Sequence, residues 1–222
     1  MLHHLRKCIC TSFYLPHGDT FRRIKVIPLS TLGALFGYMT ICSFTPGPGN
    51  ILSMTTMTSY GWQRGKILLF GIFTGYFVVQ LICALGVYML GQHLMTALNI
   101  LKYVGAVYML WLTVHIIRSK PYDGNAESTT KPSFWTGMLL QLVNVKIFMY
   151  GITAITGYIA PYNQSLFALV LTELIIAGYG CIASLAWAYL GLKIQKWYSK
   201  YYKPINWILG IFLLYCTYEM IR

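Results

Sequence analysis

Thr45-Pro46-Gly47-Pro48-Gly49-Asn50 cuts an apolar run that would otherwise read as one uninterrupted helix, and its reading decides the fold. Pro46 and Pro48 have no N–H to give to a helical hydrogen bond, and Gly47 and Gly49 admit turns that other residues resist. Apolar sequence resumes at Ile51, so the break lies at membrane depth. Backbone groups freed there lack water, and such breaks persist only where they are buried in protein or line a cavity. Carriers of small solutes build their sites in this way. The plainer alternative is a proline kink that serves packing alone.

The rest of the chain agrees with a membrane setting. Of its 222 residues, 57% are hydrophobic and 10% charged, too few polar side chains to coat a soluble globule of that size. The formal charge of +12 does not indicate a nucleic-acid partner, because Lys and Arg fall in short connections between apolar segments and in the N-terminal tail, where they act as topology signals. Cys42, Cys83, Cys181 and Cys216 sit singly in apolar segments, as packed thiols do. Cys8 and Cys10 with His3 and His4 fall short of a metal-ligand set, and neither metal nor cofactor is expected.

Outward from the break, residues 1–26 form a basic tail with no apolar run, read as disordered or as a misplaced start; residues 27–222 form one transmembrane helical domain. The expected fold is an all-α integral membrane protein of six hydrophobic segments in two halves of three, the first and fourth interrupted. Segment one covers residues 27–44 and resumes as a half-length piece over 51–59; segments two to six cover 67–90, 97–117, 134–160, 166–191 and 204–221. Gly33 and Gly37, and again Gly71 and Gly75, have the spacing that lets helix backbones approach closely. Residues 119–133 are the most polar internal stretch and divide the halves. The fourth segment is interrupted by Gln141-Leu142-Val143-Asn144-Val145-Lys146, in a place corresponding to the first break.

Loop charge predicts orientation. Arg64 and Lys66, then Arg118, Lys120 and Lys131, then Lys193, Lys196, Lys200 and Lys203 occupy the loops at 60–66, 118–133 and 192–203, whereas the loops after segments two and four hold no Lys or Arg. The first three are therefore expected in the cytoplasm and the C-terminus outside. Five segments span if the broken first segment is re-entrant, six if it crosses.

The candidate site residues are Thr45, Pro46, Gly47, Pro48, Gly49 and Asn50 at the first break and Gln141, Asn144 and Lys146 at the second. Lys146 lies deep in an apolar segment, where a charge costs about 2.5–3.5 kcal/mol on insertion scales. It reads either as a point charge for a substrate carboxylate or as a lysine held by backbone carbonyls or by Glu173. Gln141 and Asn144 share a polar stripe or cap the freed backbone. Glu173 reads as an ion or ammonium site, a proton carrier, or a structural partner. Lys102, near the start of segment three, reads as a snorkelling lysine, and His115 as interfacial. No nucleophile with a base, phosphate loop or carboxylate pair is apparent, so an enzyme is not expected. A non-transporting structural or assembly protein is the alternative.

Phe44 to Asn50, Lys102-Tyr103-Val104-Gly105-Ala106-Val107-Tyr108-Met109-Leu110-Trp111-Leu112, and Gln141 to Lys146 together resemble the signature positions of the lysine exporter (LysE/RhtB) family over about residues 27–222. Thr58-Ser59-Tyr60-Gly61 and Val143 to Ile147, continued by Tyr150 to Ala154, are most similar to its cysteine and O-acetylserine branch. Gly49 stands where the family commonly has Asn, and Val145 where it commonly has Pro. The resemblance implies a bacterial inner-membrane exporter of small amino-acid metabolites driven by the proton gradient. Its implied partners are a zwitterionic amino acid, the lipid bilayer and, left open, a second copy of the chain, with no nucleic acid.

Overall fold

The computed structural model describes residues 26–90, 93–119 and 132–221. The expectations for the tail, for the stretch 120–131 of the linker and for the Lys102 side chain fall outside it. Every regular element among the described residues is helical: α1 (Leu29–Phe44), α2 (Pro48–Leu90), α3 (His93–Arg118), α4 (Phe134–Val143), α5 (Val145–Ala154), a π turn (Ile155–Ile159) and α6 (Leu166–Ile221).

By length and composition α2 and α6 are each able to cross a membrane, and α4 with α5 and the π turn form a third apolar unit bent by 58°. Polar and apolar side chains are distributed as a lipid solvent demands. Asn50, Gln80, Gln141, Glu173 and Ser184 are buried, while Phe36, Val107, Phe167 and Ile208 are exposed. Ile51, Ile72, Leu112, Leu140 and Leu213 form the apolar core between α2, α3, α4 and α6.

Both long helices fold back on themselves. Gly61 takes φ +69°, the left-handed region that favours glycine. A Cβ built at Gly65 would come within 3.3 Å of the Thr56 side chain, a neighbour that an unbroken helix would carry about 13 Å away. In α6 the chain turns at Tyr201, where φ is −121° and ψ 25°, and Tyr198 reaches Asn206 in a hydrogen bond of 2.9 Å. Pro204 lies just beyond, where it fits the first turn of the returning helix.

Three expectations need correction here. The stretches 60–66 and 192–203, read as loops from their charge, are helical apart from turns centred on Gly61 and Tyr201; lysine and arginine are good helix formers. The loop expected after segment two is shorter than residues 91–96, because α3 begins at His93. Among the described residues Gly33 and Gly37 mediate no close packing, since a Cβ at either would meet nothing within 4 Å. The same spacing at Gly71 and Gly75 does so: Cβ atoms there would fall 2.0 Å from the Phe134 carbonyl oxygen and 2.6 Å from Gln141 Cβ. That pair sets α4 directly against α2.

Candidate functional site

Helix α1 ends at Phe44 and α2 begins at Pro48, so the first break spans Thr45 to Gly47. Pro48 occupies the first helical position, where a missing N–H costs nothing, and the Gly47 carbonyl accepts the first helical bond from Ile51 N–H at 2.9 Å. The carbonyls freed at the end of α1 are taken by side chains. Asn50 Nδ2 donates to Ser43 O at 2.8 Å and Thr45 O at 3.1 Å, and Trp187 Nε1 donates to Phe44 O at 3.2 Å. Ser184 Oγ donates to Asn50 Oδ1 at 3.2 Å and fixes that amide. Thr45 also turns its hydroxyl back onto Ile41 O.

The second break is a single residue. Asn144 has φ −83° and ψ 89°, outside the helical region, and its N–H closes a tight turn onto Gln141 O at 3.2 Å. Its side-chain Nδ2 donates to Gln141 Oε1 at 3.3 Å. An asparagine that offers such local bonds competes with the helix ladder, so the helix breaks here without the proline that the family pattern usually carries.

The two breaks meet. A Cβ at Gly47 would lie 2.9 Å from Lys146 Nζ, and one at Gly49 would lie 2.9 Å from Gln141 Nε2. Lys146 Nζ donates to Thr45 O at 3.2 Å and Pro46 O at 3.4 Å. Of the structural readings open for Lys146, the carbonyl cap is the one observed. Glu173 is not its partner, because both carboxyl oxygens are without a hydrogen-bond partner among the described residues.

A cavity with about 330 Å³ of empty space, counting its open mouth, lies where the breaks join. Gly47, Pro48, Gly49, Asn50, Asn144 and Lys146 of the expected set line it; Thr45 and Pro46 take part through the carbonyls that hold Lys146. Gln141 stands behind this wall, fully buried, against Gly49 and Gly75, and Glu173 lies elsewhere on α6. Cys42, Ser43, Tyr76, Ile147 and Tyr150 complete the lining and were not foreseen. Tyr150 was the accessible one of these, four residues after Lys146 on the same helical face. Tyr76 carries no local signal, since its place depends on α2 folding back at Gly61.

Two helix N-termini, those of α2 at Pro48 and α5 at Val145, point positive dipole ends at this cavity beside the Lys146 ammonium. The C-terminal carbonyls of α1 supply the opposite polarity across it. Groups of both signs therefore converge on one small volume.

Comparison with known proteins fits this arrangement. Residues 40–222 match the LysE type translocator family. The chain belongs to that family. Its relatives include proteins named cysteine/O-acetylserine efflux protein, from Klebsiella pneumoniae subsp. pneumoniae (35% identical over 190 residues, 86% of this chain and 96% of the relative) and from Escherichia coli O1:K1 (34% over 187 residues, 84% and 95%). No solved structure matches the chain. Both breaks and all eleven residues lining the cavity lie within the part matched to the LysE type translocators.

Proposed function

We propose that this LysE type translocator exports small zwitterionic amino-acid metabolites, cysteine and O-acetylserine in particular, across the bacterial inner membrane by proton-coupled secondary transport. The observation that carries the reading is the cavity at the two breaks, with Lys146 and two helix N-termini facing the carbonyl end of α1. The names of the similar efflux proteins supply the substrate class.

A zwitterion matches this polarity. Its carboxylate binds Lys146 Nζ and the N-terminal turns of α2 and α5, with Asn50 and Asn144 as neutral hydrogen-bonding groups. Its ammonium takes the Thr45 and Pro46 carbonyls that Lys146 relinquishes. Lys146 thus stands where the substrate amine binds. Tyr76 and Tyr150 close the walls and exclude bulky side chains.

The chain crosses the membrane six times: α1 with the first limb of α2, the second limb of α2, α3, α4 with α5, and the two limbs of α6. Residues 60–66, 118–133 and 192–203 face the cytoplasm, as their positive charge favours. Each half contributes one break, and rocking of the halves exposes the cavity alternately to either side.

The test is efflux of radiolabelled O-acetylserine and cysteine from loaded cells with and without the protein. Faster release and greater tolerance of these compounds are expected. Equal external levels in both would remove the export reading.

A further inference from the structure

Gln80 and Glu173 are fully buried, and none of their side-chain polar atoms has a hydrogen-bond partner among the described residues. They come from different helices, α2 and α6, yet end over the same spot on α5. A Cβ built at Gly151 would lie 2.3 Å from Gln80 Oε1 and 3.0 Å from each Glu173 oxygen. Three acceptor oxygens therefore crowd one point, with no donor directed at them. Acceptors repel one another, and a carboxylate without donors or a counter-charge is costly to bury. What this arrangement lacks is hydrogen.

The position selects the ligand. Gln80 and Glu173 are fully buried and neither lines the substrate cavity, so a substrate ammonium does not reach them. Three oxygens are also fewer than hard metal cations take. The titratable groups that face Glu173 are Cys83 of α2 and Tyr150 of α5. Neither donates to the carboxyl: the Cys83 thiol donates to Phe148 O, the Tyr150 hydroxyl accepts from Ser43 Oγ, and no described group hydrogen-bonds to the Glu173 oxygens. On α1, Tyr38 and Cys42 interact with each other, and Lys146 is held by Thr45 and Pro46.

We propose that Glu173, with Gln80 beside it over Gly151, is the proton-binding carboxyl that couples transport to the proton gradient. A proton adds to one Glu173 oxygen, and the neutral carboxyl donates to Gln80 Oε1. Release on the opposite side of the membrane regenerates the carboxylate, toward which the Gln80 amide turns its N–H groups. The group sits about 10 Å along α6 from Leu166, on the side of the 160–165 connection, which carries no Lys or Arg. It is next to the substrate cavity through two helices. Tyr150, which precedes Gly151, lines the cavity, and so does Tyr76, one turn before Gln80. Occupancy of one site can thereby bias the other.

This inference rests on the export reading and is tested so that the two fail separately. Full-length protein is reconstituted into liposomes containing a pH-reporting dye, and labelled O-acetylserine movement and proton movement are recorded together. Wild-type protein is expected to move protons against substrate. In Glu173→Gln, pH-driven transport is expected to fall more than tenfold relative to substrate-for-substrate exchange. Substrate transport by the wild type without proton movement overturns the proposal and leaves export standing; so does a Glu173→Gln variant with unaltered coupling. A second measurement needs no substrate and no variant: dicyclohexylcarbodiimide, which adds to protonated carboxyls within membranes, is expected to label Glu173 of the wild type, and less so as pH rises. Absence of that labelling at every pH overturns the proposal whether or not the variant folds.

Discussion

Lys146 Nζ of α5 donates to the carbonyl of Thr45, 3.2 Å away, and so places a cation on the negative end of α1. The contact joins residues about a hundred positions apart and holds one helix break against the other. It also explains how a lysine deep in an apolar segment is accommodated: its head is hydrogen-bonded to unwound backbone instead of standing in hydrocarbon. In the proposed export cycle substrate binding exchanges those carbonyls for a carboxylate, so that structure and transport draw on the same ammonium.

Replacement of Lys146 by Met separates these roles. Thr45 O keeps its bond from Asn50, so only Pro46 O loses its side-chain donor, at a cost of about 1–3 kcal/mol. Loss of the charge removes an insertion penalty of about 2.5–3.5 kcal/mol. The two nearly offset, and Lys146→Met is expected to reach the membrane at normal abundance with efflux abolished. Immunoblotting of membranes alongside labelled-substrate efflux checks both halves. Normal efflux would take Lys146 out of the site.

The glycines separate packing from pattern. A methyl at Gly71 would meet the Phe134 carbonyl oxygen at 2.0 Å, and one at Gly191 the Met54 carbonyl oxygen at 2.4 Å. Backbone cannot swing aside as a side chain does. Gly71→Ala and Gly191→Ala are each expected to destabilise by about 1–3 kcal/mol, the usual cost of overpacking. Gly33→Ala and Gly37→Ala meet open space and are expected to be neutral or slightly stabilising through helix propensity. Thermal unfolding of the detergent-solubilised variants ranks the four, and equal melting temperatures would refute the packing assignment.

The same glycines show what can be read from local sequence. Pro46 and Pro48 announce the first break because they remove hydrogen-bond donors wherever they stand, and Asn144 announces the second through its own side-chain chemistry. Those are properties of single residues. That Gly47 receives Lys146 and Gly49 receives Gln141 depends on how separate helices dock, and nothing in either hexapeptide specifies it. Gly33-x-x-x-Gly37 and Gly71-x-x-x-Gly75 are alike as patterns, yet among the described residues only the second meets a neighbouring helix. Charge misled in one respect: the lysines near 193–203 carry topology information but also favour helix, so the turn narrows to Tyr201. Tyr76 joined the cavity by the same route, through a reversal at Gly61 that its own surroundings do not encode.

Loop charge leads to a topology that labelling can check. Cysteines introduced in place of Lys120 and Arg222, in a protein otherwise free of cysteine, are expected to differ in reaction with a membrane-impermeant maleimide. Arg222→Cys should react in intact cells and Lys120→Cys only after the membrane is opened. The reverse pattern would invert the orientation.

The last prediction concerns the buried hydroxyl of Tyr198, which ties together three turns of the chain. It donates to Asn206 Oδ1 at 2.9 Å, lies 3.2 Å from Ser119 Oγ, and accepts from Ser59 Oγ at 3.5 Å. Asn206 Nδ2 in turn donates to Ser119 O at 2.8 Å. The α2 turn, the end of α3 and both limbs of α6 are thus joined in one polar network with Tyr198 and Asn206 fully buried. In Tyr198→Phe the side-chain Oδ1 of Asn206 loses its donor, and in Asn206→Leu the Tyr198 hydroxyl loses that acceptor and the Ser119 carbonyl oxygen its donor. Each is expected to cost about 1–3 kcal/mol, the second more than the first because it strands two groups. Once Asn206 is gone, removing the Tyr198 hydroxyl takes away a group already left without its acceptor. The double variant is therefore expected to be more stable than the sum of the single effects by about 1 kcal/mol or more. Thermal unfolding of the wild type, both single variants and the double variant in one detergent measures this coupling. Additivity within about 0.5 kcal/mol would mean that the two side chains act independently and that the three turns are held by apolar packing alone.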